Sequence, residues 1–443
     1  MSKPILFKSA AELLGAILSG NSPADAQMDR HFRAHPKLGA RDRGFIAETV
    51  YACLRRRRFL DYVASGNTNL SAAPENIVAA CLVVVQGISG RALADAGFRG
   101  DATALVERAR TLDKNLLPLG VQLDLPDWLL ERLIAQYGRD ETAVLAAALN
   151  EPATLDLRVN THKATREQAA ACLAEAGLPA EPTPWSPTGL RRHERAPIFR
   201  TRCFEAGFIE VQDEGSQLLS LLLEPKRHEM VVDFCAGAGG KTLHLAALMA
   251  NSGSVYALDI SAKRLDRLKP RLARAGLDNI RRVVIQNERD VRVQRLAGKI
   301  DRVLVDAPCS GTGTLRRNPD IKWRHIDLEK LAQTQGSILS AAATLLKPGG
   351  RLVYATCSLL CEENENVVIG FLAAHPEFRA LAAGEILARR QVLLPVRGDA
   401  TAQSVEGQAL TADSLQDLAL RLLPHRHRTD GFFAVALERR KMQ

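Results

Sequence analysis

No apolar stretch of the 443-residue chain is long enough to cross a bilayer; the longest, Ile77 to Val85, is about half a membrane span. The opening residues, MSKPILFKSAAELL, lack the apolar core and small-residue cleavage site of a signal peptide. Cysteine is sparse. Eight residues, at positions 53, 81, 172, 203, 235, 309, 357 and 361, are scattered through the chain, unlike the dense framework of a small secreted domain. Cys357, Cys361 and Cys309 find no second cysteine pair or histidine pair to complete a tetrahedral metal set. Internal repeats and low-complexity tracts are absent as well. These absences predict a cytoplasmic protein with reduced thiols, no membrane association and no metal.

What is present describes an ordinary globular chain, 46% hydrophobic and 25% charged. It is too long for one compact core, so two or three domains are expected. Lys and Arg number 59 against 50 Asp and Glu, a net charge of +9. That excess suits a polyanionic partner such as nucleic acid, although it also serves solubility. Arg55, Arg56, Arg57 and Arg58 put four cations in one helical turn, either a solvated face or a set of phosphate contacts.

The first roughly 120 residues carry apolar positions at three- and four-residue spacing and read as helices. From Ala153 the texture changes to a small α/β module, with the strand TLDLRVN followed by a helix. Thr165 and Gln168 have capping-box spacing at the start of that helix, and Gly177 marks its stop. From about Glu229 strand and helix alternate strictly, the pattern of a doubly wound parallel sheet whose ligands sit outside the carboxyl ends of its strands. Pro270 interrupts one of these helices and is expected to kink it.

DFCAGAGGKT, Asp233 to Thr242, joins the first strand of this sheet to its first helix. A phosphate-binding loop would require glycine at Cys235, and a dinucleotide fingerprint would require it at Thr242. The second strand ends at Asp259, suited to a ribose diol, and the third ends near Glu288 and Asp290. A glycine loop followed by these acids fits an adenosine-bearing ligand whose charge is not on phosphates, such as S-adenosylmethionine. A purely structural glycine turn is the competing explanation.

Two cysteines end neighbouring strands: Cys309 in VDAPCSGTG and Cys357 in YATCSLL, with Asp306 and Pro308 just before the first. In a sheet of this order the two strands are adjacent, so both sulfurs face one crevice. Methylation of cytosine at carbon 5 needs such groups, because that carbon is a poor nucleophile. A thiolate adding to carbon 6 activates it, and an acid such as Asp306 stabilises the addition at ring nitrogen 3. Core packing of a small hydrophobe is the alternative for either cysteine singly, and a redox disulfide is the alternative for the pair. Spacing alone does not choose which thiol attacks.

DFCAGAGGKT, VDAPCSGTGTLRRNPDIKW and YATCSLLCEENENVV resemble the signature blocks of the Sun-type RNA (cytosine-5) methyltransferases. LRVNTHKATREQ, VQDEGSQL and LPHRHRTDGFFAVAL are similar to further blocks of that family, from about residue 145 to the C-terminus, with Ala380 to Leu420 matching poorly. KLGARDRGFIAETVYACLRRRRFLDY resembles the helical NusB-like domain of bacterial members that modify small-subunit ribosomal RNA. The resemblance implies a NusB-like RNA-binding domain at 1–140, a small RRM-like module at 141–222 and a Rossmann-like methyltransferase domain at 223–443.

It further implies S-adenosyl-L-methionine as cofactor, RNA as substrate and a monomer. Cys357 matches the family nucleophile, Cys309 the cysteine that aids product release, and Asp306 the acid touching both cytosine and cofactor. Cys235, Ala236, Gly237, Ala238, Gly239, Gly240 and Lys241 match the cofactor loop, and Asp259 the ribose acid. The family more often has Ala-Pro-Gly-Gly where this chain has Gly237 to Gly240. Its aspartate after strand three aligns with Glu288, with Asp290 two residues on. Arg316, Arg317 and Lys322, past the active turn, are candidate contacts to the substrate backbone. Two other readings are carried. A methyltransferase of exocyclic amines would have an Asp/Asn-Pro-Pro-aromatic turn where this chain has Asp306-Ala307-Pro308-Cys309. An RNA-binding assembly factor would keep the domain only as a scaffold.

Overall fold

The computed structural model describes residues 4–20, 22–67, 71–194, 196–394 and 411–441. The chain divides into two compact units, Met1–Pro152 with Thr314–Ile326, and Ala153–Gly313 with Asp327–Gln443.

The first unit is helical. Helix Pro4–Ser19 buries Leu6, Leu13, Leu14 and Ile17, and packs with Ala40–Arg55 and Pro74–Gln86 around one apolar cluster. The apolar run that starts at Ile77 lies in the third of these helices, started by Pro74 and stopped by Gly87 at φ +67°. The arginine run straddles a helix break at Arg56, which corrects its reading as four cations in one helical turn. Arg55 is buried on the carbonyl of Arg316 (3.1 Å). Arg57 pairs with Asp61 (3.5 Å) and lies over the Trp323 ring. Arg58 reaches Leu125 O (2.7 Å) and Asp127 (2.6 Å), leaving Arg56 as the exposed member of the run.

The segment Thr314–Ile326 belongs to this helical unit. Trp323 Nε1 donates to Leu54 O (2.8 Å), and Asp320 accepts from the Ala24 amide (3.2 Å). Lys322 is fully buried and donates to Arg55 O (3.0 Å), Asp124 O (3.1 Å) and Asn150 Oδ1 (2.5 Å). Arg316 is buried too, near Pro152 O (3.4 Å). Neither side chain is placed to follow a substrate backbone, a correction to both; Arg317 is half-buried.

Burial pulls the Lys322 ammonium down to about 7, against the charge of Asp124. In the unfolded chain a lysine titrates near its usual value of 10.5. Between the two values the unfolded state holds the extra proton, so the wild type loses stability as pH falls through that window. A Lys322→Met protein has no such dependence. Its urea midpoint is predicted to improve relative to wild type between about pH 10 and about pH 7, and a gap independent of pH would contradict the assignment.

The second unit opens with a four-stranded antiparallel sheet, β1 (Leu155–Val159), β2 (Glu181–Pro182), β3 (Gly189–Arg192) and β4 (Ile209–Val211), ordered β2-β3-β1-β4. Its helix Arg166–Glu175 begins in the expected Thr165–Gln168 capping box. Cys172 on that helix and Cys203 on the short helix Arg202–Glu205 are joined as a disulfide, which corrects the expectation of reduced thiols at this pair.

The larger sheet is the doubly wound α/β layer. Parallel strands β5 (Met230–Asp233), β6 (Ser254–Asp259), β7 (Ile280–Val284), β8 (Ile300–Asp306) and β9 (Leu346–Thr356) are extended by β10 (Phe378–Leu381), β11 (Leu420–Leu422) and β12 (Phe432–Arg439). The order is β10-β12-β9-β8-β5-β6-β7, with β12 antiparallel to β9 and β11 paired to β12. The central strands are apolar on both sides because helices cover both faces. Winding reverses between β5 and β8, which opens the ligand crevice beyond their carboxyl ends. Pro270 lies inside helix Ala262–Ala275. Of the poorly matched stretch Ala380 to Leu420, helices Ala383–Ala388 and Ala412–Leu418 are described, while residues 395–410 lie outside the described residues. Among the described residues no helix is long and apolar enough to cross a membrane.

Candidate active site

The glycine loop runs from β5 into helix Gly240–Leu248. Gly237 (φ +55°) has open space where a side chain would begin, and its amide donates to Asp259 Oδ2 (2.8 Å). At Gly239 (φ +82°) a Cβ would stand 2.3 Å from Leu268 Cδ1, so only glycine lets this turn pack on helix Ala262–Ala275. Asp259, buried at the end of β6, also accepts from the Ser261 amide (2.7 Å). Ala236 and the half-buried Cys235 and Ala238 complete the loop. Burial, with the charges of Asp306, Asp233 and Asp259, pushes the Cys235 thiol far above its usual range. That makes Cys235 a loop residue rather than a nucleophile.

The two acids after β7 differ in engagement. Asp290 accepts from the amides of Gln286 (2.8 Å) and Arg292 (2.9 Å), which hold its carboxyl below the usual range. It caps its own turn. Glu288 is half-buried beside Arg289 (3.7 Å) and makes no such cap.

Asp306 ends β8, and its Oδ2 takes a hydrogen bond from Lys241 Nζ at 2.7 Å. Burial works against the Lys241 ammonium, yet the charge and hydrogen bond of Asp306, with help from Asp233, raise its pKa. Burial pushes Asp233 up to about 7 although Thr242 Oγ1 donates to it at 2.6 Å. β8 and β9 are parallel neighbours, as expected, and each leads into one cysteine. The sulfurs of Cys309 and Cys357 are 3.3 Å apart and both residues are half-buried. The hydrogen bond to Cys357, then burial, then the charges of Cys357 and Glu363 raise the Cys309 pKa well above its ordinary value. Cys309 is therefore held as a thiol near neutral pH. Cys361 lies on Glu362 (3.4 Å), and among the described residues no group of three or more metal-ligating side chains is arranged to hold an ion.

Some contributors were not anticipated. Arg158 on β1 is buried, donates to Gln212 and to Gly240 O (2.7 Å), and so fixes the helix that follows the loop. Arg271 donates to Ala238 O (2.5 Å). The visible signal for Arg158 was an arginine inside the apolar strand LDLRV. Glu363, buried behind the cysteines, lies inside the block YATCSLLCEENENVV but was given no role there.

A doubly wound sheet of this order, with a glycine loop, an acid after the second strand and two thiols on one rim, defines a Rossmann-like methyltransferase. A profile of the 16S rRNA methyltransferase RsmB/F family matches residues 220–438, and one of the RsmF/B-like ferredoxin-like domain matches residues 125–198. The "Probable ribosomal RNA small subunit methyltransferase B" of Synechocystis sp. is 33% identical, over 95% of this chain and 96% of its own length. The ribosomal RNA small subunit methyltransferase B of Klebsiella pneumoniae is 39% identical over 61% of this chain and 62% of its own length. Among solved structures, that of PH0851 superposes with a TM-score of 0.76, 28% identity and 98% coverage of both chains. A methyltransferase homologue from Pyrococcus horikoshii gives 0.61 and 30%, covering 75% of this chain and all of its own. The chain belongs to the RsmB/F family of methyltransferases.

Proposed function

We propose that the protein transfers a methyl group from S-adenosyl-L-methionine to carbon 5 of a cytosine in RNA, with small-subunit ribosomal RNA as substrate. The observation that carries this reading is the pair of sulfurs 3.3 Å apart at the ends of adjacent strands, on the same rim as Asp306. The glycine loop fits the cofactor, since Gly237 leaves open space above the buried carboxylate of Asp259. Residues 235–241 would line the cofactor, Asp259 would hold its ribose, Glu288 its adenosine, and Asp306 would lie between cofactor and base. When bound, S-adenosyl-L-methionine supplies an electrophilic methyl group.

Cys357 is the nucleophile. Its thiolate bonds to carbon 6, the 5,6 double-bond electrons move to carbon 5, and a proton from the Asp306–Lys241 pair reaches ring nitrogen 3. Once carbon 5 carries its methyl group, a solvent water takes the carbon 5 proton, the electrons of that bond re-form the 5,6 double bond, Cys357 leaves as its thiolate, and ring nitrogen 3 returns its proton to the Asp306–Lys241 pair. Cys309, 3.3 Å away, donates a hydrogen bond to the departing thiolate. The base is reached unpaired or flipped out of its helix. The helical unit and the small sheet module hold the RNA, with affinity that falls steeply with salt, and Arg317 stays a candidate backbone contact. In this reading the protein works as a cytoplasmic monomer.

The test is digestion of a small-subunit ribosomal RNA transcript to nucleosides after incubation with protein and S-adenosyl-L-methionine, followed by mass spectrometry. 5-Methylcytidine is expected. N4-Methylcytidine would move the chemistry to the exocyclic amine, and a calorimetric titration without cofactor binding would favour the scaffold reading.

A further inference from the structure

The loop after β9 buries a carboxylate that the reaction above does not use. Glu363 is fully enclosed and accepts four hydrogen bonds: from the Ser310 amide (2.8 Å), Ser310 Oγ (2.5 Å), Ser358 Oγ (2.5 Å) and Gln335 Nε2 (3.0 Å). Ser310 follows Cys309 directly, and Ser358 follows Cys357. One carboxylate thus ties together the two turns that carry the sulfurs. Gln335 strengthens the tie by also donating to Pro308 O (2.9 Å), on the other side of Cys309. The Tyr354 hydroxyl on β9 anchors Glu363 itself through its backbone carbonyl (2.6 Å). Ser310 Oγ and Ser358 Oγ are 3.2 Å apart, the Leu359 amide donates to Thr312 Oγ1 (2.9 Å) and the Gly313 amide to Cys357 O (2.9 Å), so a polar seam joins the turns beside the sulfurs.

A buried carboxylate held by four donors is rigid, and its two serine donors each follow a sulfur-bearing residue directly. We infer that Glu363 is a positioning residue, a yoke that sets the distance between Cys309 and Cys357. The inference rests on the proposed reaction for its kinetic consequence but not for its effect on Cys309. Its negative charge disfavours a second anion at Cys309, in line with its contribution to the raised thiol pKa. Glutamine in its place removes that charge and offers one acceptor oxygen where the carboxylate offers two.

The experiment follows the pH dependence of alkylation of the Cys309 peptide by iodoacetamide, read by mass spectrometry, in wild type and Glu363→Gln. Turnover on RNA and the KM for S-adenosyl-L-methionine are measured beside it. The variant is expected to alkylate Cys309 at lower pH, to lose roughly ten- to a hundredfold in kcat with KM for the cofactor unchanged, and to accumulate RNA adduct. An alkylation profile identical to wild type overturns the proposal. The alkylation readout needs no RNA, so it stands even if the assigned reaction fails and separates the two failures. If Glu363→Gln does not fold, Ser358→Ala decides. A fall in kcat of about tenfold at unchanged cofactor KM supports the yoke, and a wild-type kcat overturns it.

Discussion

A Cys357→Ala protein is expected to lose methyl transfer by a factor on the order of 10⁴ or more while binding S-adenosyl-L-methionine as the wild type does. Carbon 5 of cytosine gains its nucleophilicity only from addition at carbon 6, so without the attacking thiolate the reaction has no low path. The glycine loop proposed to hold the cofactor takes its geometry from Gly237, Gly239 and Asp259, and from the contact of helix Ala262–Ala275 with the loop, rather than from that sulfur. Removing a half-buried Sγ at the end of β9 leaves the strand ladder from Leu346 to Thr356 intact. A thiol is small, so the packing loss is small as well. Rates of radiolabelled methyl incorporation and a calorimetric titration of the cofactor check the two halves. Retained turnover would remove Cys357 from the mechanism.

Asp306→Asn is the second large effect. The substitution conserves shape but neither gives nor takes a proton at neutral pH, so transfer is expected to fall by about 10²- to 10⁴-fold. It also strands Lys241. That ammonium is buried and its raised pKa depends on Asp306 at 2.7 Å. Asp306 keeps partial contact with solvent, so the stability cost is expected at about 1–3 kcal/mol rather than the larger loss of a fully enclosed pair. The Lys241→Met, Asp306→Asn double variant should recover part of that stability and none of the activity. Urea midpoints and turnover of the three proteins test this together. Full activity in the double variant would contradict a proton-handling role for the pair.

The parts of the site that a linear reading reaches are those at strand ends. Periodicity places β5 to β9, and a doubly wound sheet gathers the residues beyond the carboxyl end of each strand at one rim. The glycine loop, Asp259, Asp306 and both cysteines were therefore legible as one constellation. Choosing between the thiols from strand ends alone was not possible, because both sulfurs reach the same rim, 3.3 Å apart, and only the family resemblance favours Cys357. The role of Glu363, a residue inside a quoted family block, was not legible, because its four donors come from the turn after β8, the turn after β9 and helix Leu328–Ala343. The cations misled for a related reason. Arg55, Arg58, Arg316 and Lys322 look like a polyanion surface in sequence, yet each meets a backbone carbonyl within the helical unit. Asp290 was indistinguishable from Glu288 until its two oxygens were seen to close its own turn. The Cys172–Cys203 pair likewise depends on how a helix and a short helix of the small module face each other.

The central claim is a covalent bond between Cys357 and the cytosine ring, and trapping that bond tests it most directly. Wild type, Cys309→Ala and Cys357→Ala would each be incubated with S-adenosyl-L-methionine and a small-subunit ribosomal RNA transcript, then denatured and resolved for RNA–protein adducts. The account predicts an adduct that accumulates in Cys309→Ala, where release is slowed, and is absent from Cys357→Ala. An adduct that persists in Cys357→Ala and vanishes in Cys309→Ala would contradict it and make Cys309 the nucleophile.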